Sequence, residues 1–317
     1  MCAQTAVGSA SGHSGALTGV FPIAPTPFHE DESIDFASQH RVIDYLIDAG
    51  VDGICILANY SEQFALTDDE RQQLQSRILR RVDGRVPVIV TTSHYGTAIA
   101  AERSRRAQDE GAAMVMIMPP YHGATLRVEE GGLVDYFHAI ADATDIPIMI
   151  QDAPMSGTPL SAAFLARLAQ EIPHVQYVKV ESANAAAKLR QLIALTGESL
   201  PGPFDGEESI TLIPDLEAGA TGTMPSAAIP DVLGGIVRDW LAGDHARATE
   251  TWEYWLPMIH YENRQCNLRA TKVLMKEGGI IESDRSRAPF GQLNPHLAEG
   301  IIAHARRRDA FILRWAS

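Results

Sequence analysis

The chain has 317 residues, 45% of them apolar, which is enough for one large domain or two small ones with a sizeable core. Its net charge of −14 argues against nucleic acid or an anionic membrane as a partner, and an anionic substrate needs a local arrangement that overrides the global field. The three cysteines, Cys2, Cys55 and Cys266, form no spaced pattern, which points to a reducing compartment, the cytoplasm by default.

Residues 1–16 are rich in Ala, Ser and Gly, with no basic start and no long apolar run, so they read as a disordered tail. No stretch reaches the length of a membrane span. From there, short apolar runs alternate with helical patterns. The runs are Val20–Ala24, Gly53–Ala58, Pro87–Ser93, Met114–Pro120, Ile146–Asp152, Val175–Glu181, Gly202–Gly206 and Gly222–Pro225. Segments such as Asp68–Val82, Ala98–Glu110 and Leu160–Ala169 carry the helical periodicity between them. Near-continuous apolar strands alternating with helices imply a parallel sheet covered on both faces. Eight units predict a (β/α)8 TIM barrel over 17–242. A doubly wound open sheet is the alternative, but it usually brings a glycine fingerprint after its first strand, where this chain has Ala24-Pro25-Thr26-Pro27-Phe28.

After Pro230 the strands stop. Helices are predicted at Asp231–Ala242, His245–Tyr261, Gln265–Lys276 and Pro295–Arg308, the first closing the barrel and the rest forming a C-terminal helical extension, 243–317. Gly278–Asn294 reads as a loop.

A (β/α)8 barrel places its active site at the C-terminal ends of the strands. Those ends supply Thr26, Asn59-Tyr60-Ser61-Glu62, His94-Tyr95, Tyr121-His122, Gln151-Asp152, Lys179-Val180-Glu181, Gly206 and Met224. This is a polar ring around one lysine. Of the four lysines, Lys179 alone is flanked by β-branched and aromatic residues, which predicts a buried ammonium. Burial lowers an ammonium pKa, and a neutral lysine attacks carbonyl carbon to form a Schiff base. The other reading is a structural ion pair with Glu181. Side chains alternate along a strand, so Lys179 and Glu181 face the same way. Gln151 ends the neighbouring strand and is placed to reach both, while Asp152 should point away. His94 and His122 end adjacent strands without further ligands at metal spacing, so no metal is expected.

Several motifs together resemble the dihydrodipicolinate synthase and N-acetylneuraminate lyase superfamily, over about residues 17–315. Thr26-Pro27-Phe28 is similar to its opening Thr-Pro-Phe. Ala58-Asn59-Tyr60-Ser61-Glu62 lies where the family has Gly-Thr-Thr-Gly-Glu, its binder of the keto-acid carboxylate. Pro119-Pro120-Tyr121-His122 resembles its Pro-Tyr-Tyr element, and Tyr177-Val178-Lys179 its Gly-Ile-Lys strand with the Schiff-base lysine. The departures narrow the resemblance. Gln151 stands where the family has its catalytic tyrosine, and Ser156 where the synthase has an arginine for the distal carboxylate. A glutamine does not shuttle protons at neutral pH, so Glu181 becomes the expected proton carrier. The combination of Asn59-Tyr60-Ser61-Glu62-Gln63, Gln151-Asp152-Ala153-Pro154 and Lys179-Val180-Glu181 is closest to one branch. That branch dehydrates 2-keto-3-deoxy-L-arabonate to 2-oxoglutarate semialdehyde in non-phosphorylative pentose catabolism.

The resemblance implies Lys179, Glu181 and Gln151 as catalytic residues and no cofactor beyond the covalent imine. It implies Asn59, Tyr60, Ser61, His94, His122, Gly206 and Met224 as substrate-binding residues. Its partners are a small 2-keto-3-deoxy sugar acid and further copies of the chain, as a homotetramer, with Tyr121 packing between subunits. A class I aldolase cleaving a similar acid shares the lysine chemistry. A keto-acid-binding regulator without turnover is the reading of another class.

Overall fold

The computed structural model describes residues 16–121 and 126–316. The predicted tail, apart from Ala16, and His122 lie outside the described residues.

Seven of the eight apolar runs contain a strand, and the first run overlaps its strand at Val20. The strands are β1 (Gly19–Val20), β2 (Ile54–Ile56), β3 (Val88–Thr91), β4 (Met114–Ile117), β5 (Ile148–Asp152), β6 (Val175–Val180), β7 (Gly202–Asp205) and β8 (Gly222–Thr223). All neighbouring strands pair in parallel in the order β1-β8-β7-β6-β5-β4-β3-β2. Ile23 bridges to both Cys55 and Ser226, which joins β1 to β2 and closes the barrel. Strand side chains alternate between two cores. Val20, Ile54, Val90, Val115 and Ile150 face the helices, whereas Phe21, Cys55, Ile89, Met116, Met149 and Phe204 fill the barrel interior.

The crossover helices are α1 (Phe36–Asp48), α2 (Asp68–Val82), α3 (Thr97–Asp109), α4 (Glu130–Ala141), α5 (Ala162–Glu171), α6 (Ala185–Thr196), α7 (Leu212–Glu217) and α8 (Pro230–Leu241). Their starts follow local chemistry. Asp35 caps α1 through the Ser38 amide, and Thr67 with Glu70 forms a capping box on α2.

The C-terminal helices are α9 (His245–Tyr261), α10 (Arg269–Glu277) and α11 (Pro295–Arg307). One prediction is corrected here. The helix expected to begin at Gln265 does not: Glu262–Cys266 is a π-helical turn, and Asn267 at φ 55° ends it before α10 starts. A positive φ is incompatible with a continuing right-handed helix, so Asn267 breaks the helical path.

The loop after α10 is stitched to the barrel mouth. Arg287 donates to both Glu70 oxygens and stacks 4.5 Å over Phe28, and its amide donates to Glu62. Lys272 of α10 is fully buried and ion-paired with Glu62. Its stretch reads as amphipathic, and the pairing is set by a chain segment 210 residues away.

Candidate active site

β6 carries Lys179 into the barrel mouth with 1% of its side chain exposed, and Glu181 two residues on shares its face. Lys179 Nζ lies 2.7 Å from Glu181 Oε1. The parallel register places Gln151 of β5 beside Lys179, and Gln151 Nε2 donates to the same Glu181 oxygen at 2.7 Å. Gln151 Oε1 is buried with no partner among the described residues, so one acceptor is left for a bound molecule. Gly206 completes the floor. A Cβ there would lie 2.5 Å from Glu181 Cγ and 2.9 Å from Lys179 Cγ, so a side chain would displace the pair.

These residues line a cavity of about 210 Å³. Asn59 and Tyr60 form one wall, and the loop after β7 with Asn263 and Arg264 of the π turn forms the other. Four expectations fare differently. Ser61 turns away: its hydroxyl donates to the Ala24 carbonyl at 2.7 Å, and its amide donates to the Ala58 carbonyl at 3.0 Å. His94 lines a separate cavity of about 290 Å³ with Tyr95 and Tyr121, and Met155 borders both. Met224 is fully buried in the barrel interior below the site. Asp152 does point away, holding Lys188 at 2.5 Å.

The expected low pKa of Lys179 is also overturned. Burial favours the neutral amine, but the carboxylates of Glu181 and then Glu208 outweigh it, and the pKa ends above the ordinary lysine value. The free protein therefore holds Lys179 as an ammonium.

Glu208 is the residue that sequence reasoning missed. It follows Gly206 by two positions and lines the cavity. Its Oε2 is buried without a partner among the described residues, and burial raises its carboxyl well above the usual range, with Lys179 opposing that shift. Glu181, in direct contact with Lys179, carries the larger part of the effect on it. Glu208 and Ser209 are both left-handed, at φ 53° and 66°. Such backbone costs on the order of 1 kcal/mol per residue and persists only where the surroundings impose it. Here Asp205 accepts from the Glu207 and Ser209 amides at 3.0 and 3.1 Å, and Trp252 of α9 donates to the Ser209 carbonyl at 3.0 Å. The signal in the sequence was the acidic Asp205-Gly206-Glu207-Glu208 run at a strand's C-terminal end.

Among the described residues, one group of three potential metal ligands lies within 4.8 Å, formed by His29, Asp35 and Glu282. Asp35 is occupied as the α1 cap, and none of the three lines the lysine cavity.

The site is therefore a buried lysine at the mouth of a closed parallel barrel, flanked by carboxyl groups in a small polar cavity. The model of the Dihydrodipicolinate synthetase family matches residues 16–303, and the chain belongs to that family. It is 55% identical over 298 residues to an L-2-keto-3-deoxyarabonate dehydratase of Azospirillum brasilense, covering 94% of this chain and 96% of that one. A 4-hydroxy-tetrahydrodipicolinate synthase of Salinibacter ruber is 30% identical over 288 residues, covering 90% and 89%. The crystal structure of a dihydrodipicolinate synthase from Rhodopseudomonas palustris superposes with a TM-score of 0.83 at 28% identity, over 92% of this chain and 97% of that one.

Proposed function

We propose that this protein is a hydro-lyase that dehydrates 2-keto-3-deoxy-L-arabonate to 2-oxoglutarate semialdehyde through an imine on Lys179. The observation that carries this reading is the Lys179–Glu181–Gln151 cluster: a carboxylate, held by a glutamine, stands ready for proton transfer beside the lysine. Similarity to the Azospirillum dehydratase supports the substrate.

Glu181 takes a proton from the Lys179 ammonium at 2.7 Å, and the freed amine attacks C2 of the keto acid. Glu181 returns that proton to the C2 oxygen, which leaves as water and gives the protonated imine, into which the C3–H electrons drain when Glu181, again a carboxylate, removes the C3 proton. The enamine then expels the C4 hydroxyl, which leaves as water with the proton of Glu208. Two carboxyl groups in different environments divide the base and acid roles. A proton passes from C5 to C3 through the conjugated imine, leaving a C4–C5 enol that becomes the aldehyde. Hydrolysis releases Lys179, and the proton taken from C3 passes from Glu181 back to Glu208. The carboxylate end lies against the Asn59–Tyr60 wall, and no metal or organic cofactor takes part.

Product analysis by mass spectrometry decides between the two lyase reactions. Loss of one water from the substrate is expected. Pyruvate plus glycolaldehyde would make the protein an aldolase, and a trapped imine without product would make it a binder.

The barrel (17–242) and the extension (243–317) act in this reading as one unit. No helix among the described residues is long and apolar enough to cross a membrane, and Cys55 and Cys266 are unpaired, which supports the cytoplasm. Exposed Phe64, Tyr95 and Tyr121 border the His94 cavity and fit a tetramer contact, to be checked by sedimentation.

A further inference from the structure

The cavity beside Lys179 receives one other cationic side chain, and it comes from the C-terminal extension. The π turn Glu262–Cys266 lies across the mouth between two distant strands. At the β2 side Tyr60 donates its hydroxyl to Asn263 Oδ1 at 3.3 Å. At the β7 side Arg264 reaches Glu207 at 3.5 Å. The turn is anchored below by Glu262, which is buried and accepts from Ser226 after β8 and from Thr271 at 3.3 Å. π turns are rare and recur at functional sites, because the extra residue redirects the side chains that follow.

Arg264 is poorly used as an ion pair. Its side chain is 54% exposed and the contact with Glu207 is long. Such a pair contributes little and exchanges readily for a better acceptor. Its position selects which part of a ligand it meets. With C2 attached to Lys179 and the carboxylate against Asn59 and Tyr60, the remaining carbons run toward the β7 wall, where Glu208, Glu207 and Arg264 stand. We infer that Arg264 binds the hydroxylated far end of the sugar-acid chain, so that the C-terminal extension selects the length and hydroxylation of the substrate. This rests on the Schiff-base reading above, but not on dehydration.

Borohydride trapping of the imine, followed by intact mass, tests it without turnover. The acids are 2-keto-3-deoxy-L-arabonate and pyruvate, which lacks the hydroxylated end. Arg264→Gln is expected to raise the half-saturating concentration of the sugar acid about 10-fold and to leave that of pyruvate within about two-fold, the scale of one hydrogen bond to a charged group. An equal rise for both acids would mean that Arg264 holds the carboxylate, and no change for either would mean that it holds nothing; both overturn the inference. Arg264→Lys keeps a cation at the same position and is expected to recover most of the sugar-acid binding lost in Arg264→Gln, with pyruvate again within about two-fold of the parent. If it weakens the sugar acid as much as Arg264→Gln does, the side chain merely shapes the loop and the inference fails. A parent protein that traps both acids yet yields no dehydrated product would refute the hydro-lyase reading and leave this comparison standing.

Discussion

Two buried lysines, each paired with a glutamate, sit within one barrel mouth and do opposite things. Lys272 is sealed. It pairs with Glu62, donates to the Arg285 carbonyl at 2.9 Å and lies 4.5 Å over the Phe28 ring, while the other Glu62 oxygen accepts from the Arg287 amide at 2.9 Å. Burial lowers its pKa, with Glu62 working against that shift. Lys179 has a cavity on one side, and its partner Glu181 is 16% exposed to it. Its pKa moves up instead, because more than one carboxyl group surrounds it. A saturated pair has no donor or acceptor left for a ligand and ties segments together. An unsaturated pair, with Gln151 and Glu208 each keeping a buried oxygen unpartnered, is prepared for chemistry.

The largest expected effect separates the two lysines outright. Lys179→Ala should abolish both dehydration and borohydride trapping of pyruvate, with the fold retained by circular dichroism; residual trapping on another lysine would remove Lys179 from the mechanism. Glu181→Gln should lower turnover by about 10²–10⁴-fold while pyruvate trapping persists at saturating concentration. Turnover within a few-fold of the parent would show that Glu181 only tunes the lysine.

Lys272→Met breaks the sealed pair and strands the Glu62 charge. A loss of about 3–5 kcal/mol in denaturant unfolding is expected, because removing one member of a buried pair leaves the other uncompensated. Trapping by the folded fraction should survive. If stability is unchanged and trapping disappears instead, the division of labour between the lysines is reversed.

The smallest effect concerns a carboxyl pair with no lysine at all. Asp205 and Asp215 lie buried together beneath the Glu207–Ser209 loop, and burial, with the charge of Asp205 adding to it, raises Asp215 to about 8. In the unfolded chain Asp215 titrates near the ordinary carboxylate value, so between about pH 4 and pH 8 the folded state binds more protons and stability falls as pH rises. Asp215→Asn should flatten that decline, seen as a smaller drop in denaturation midpoint across the same range. An unchanged slope would assign it to other groups, such as Glu262, which burial raises to about 7.

Much of this was legible in the amino-acid order. Seven strands lie inside their apolar runs and the first overlaps its run at Val20, since a strand covered on both faces must be apolar throughout. Lys179, Gln151 and Glu181 were legible because alternation along one strand and adjacency of the next set their directions. Ser61, His94 and Met224 were not, because the end of a strand does not reveal which way the following loop turns. Lys272 and the π turn were hidden for a different reason: their partners lie 210 and 203 residues away in the sequence.

By itself the sequence determined the barrel, its closure by eight units and the strand that bears the nucleophile, because these depend on periodicity and nearest-neighbour alternation. Only the tertiary structure decided the charge of Lys179, the burial of the Glu208 carboxyl beside it and the arrival of Arg264 over the mouth. Electrostatics and burial are sums over everything within a few ångströms, and here those neighbours come from the sixth strand, the seventh loop and the C-terminal helices together.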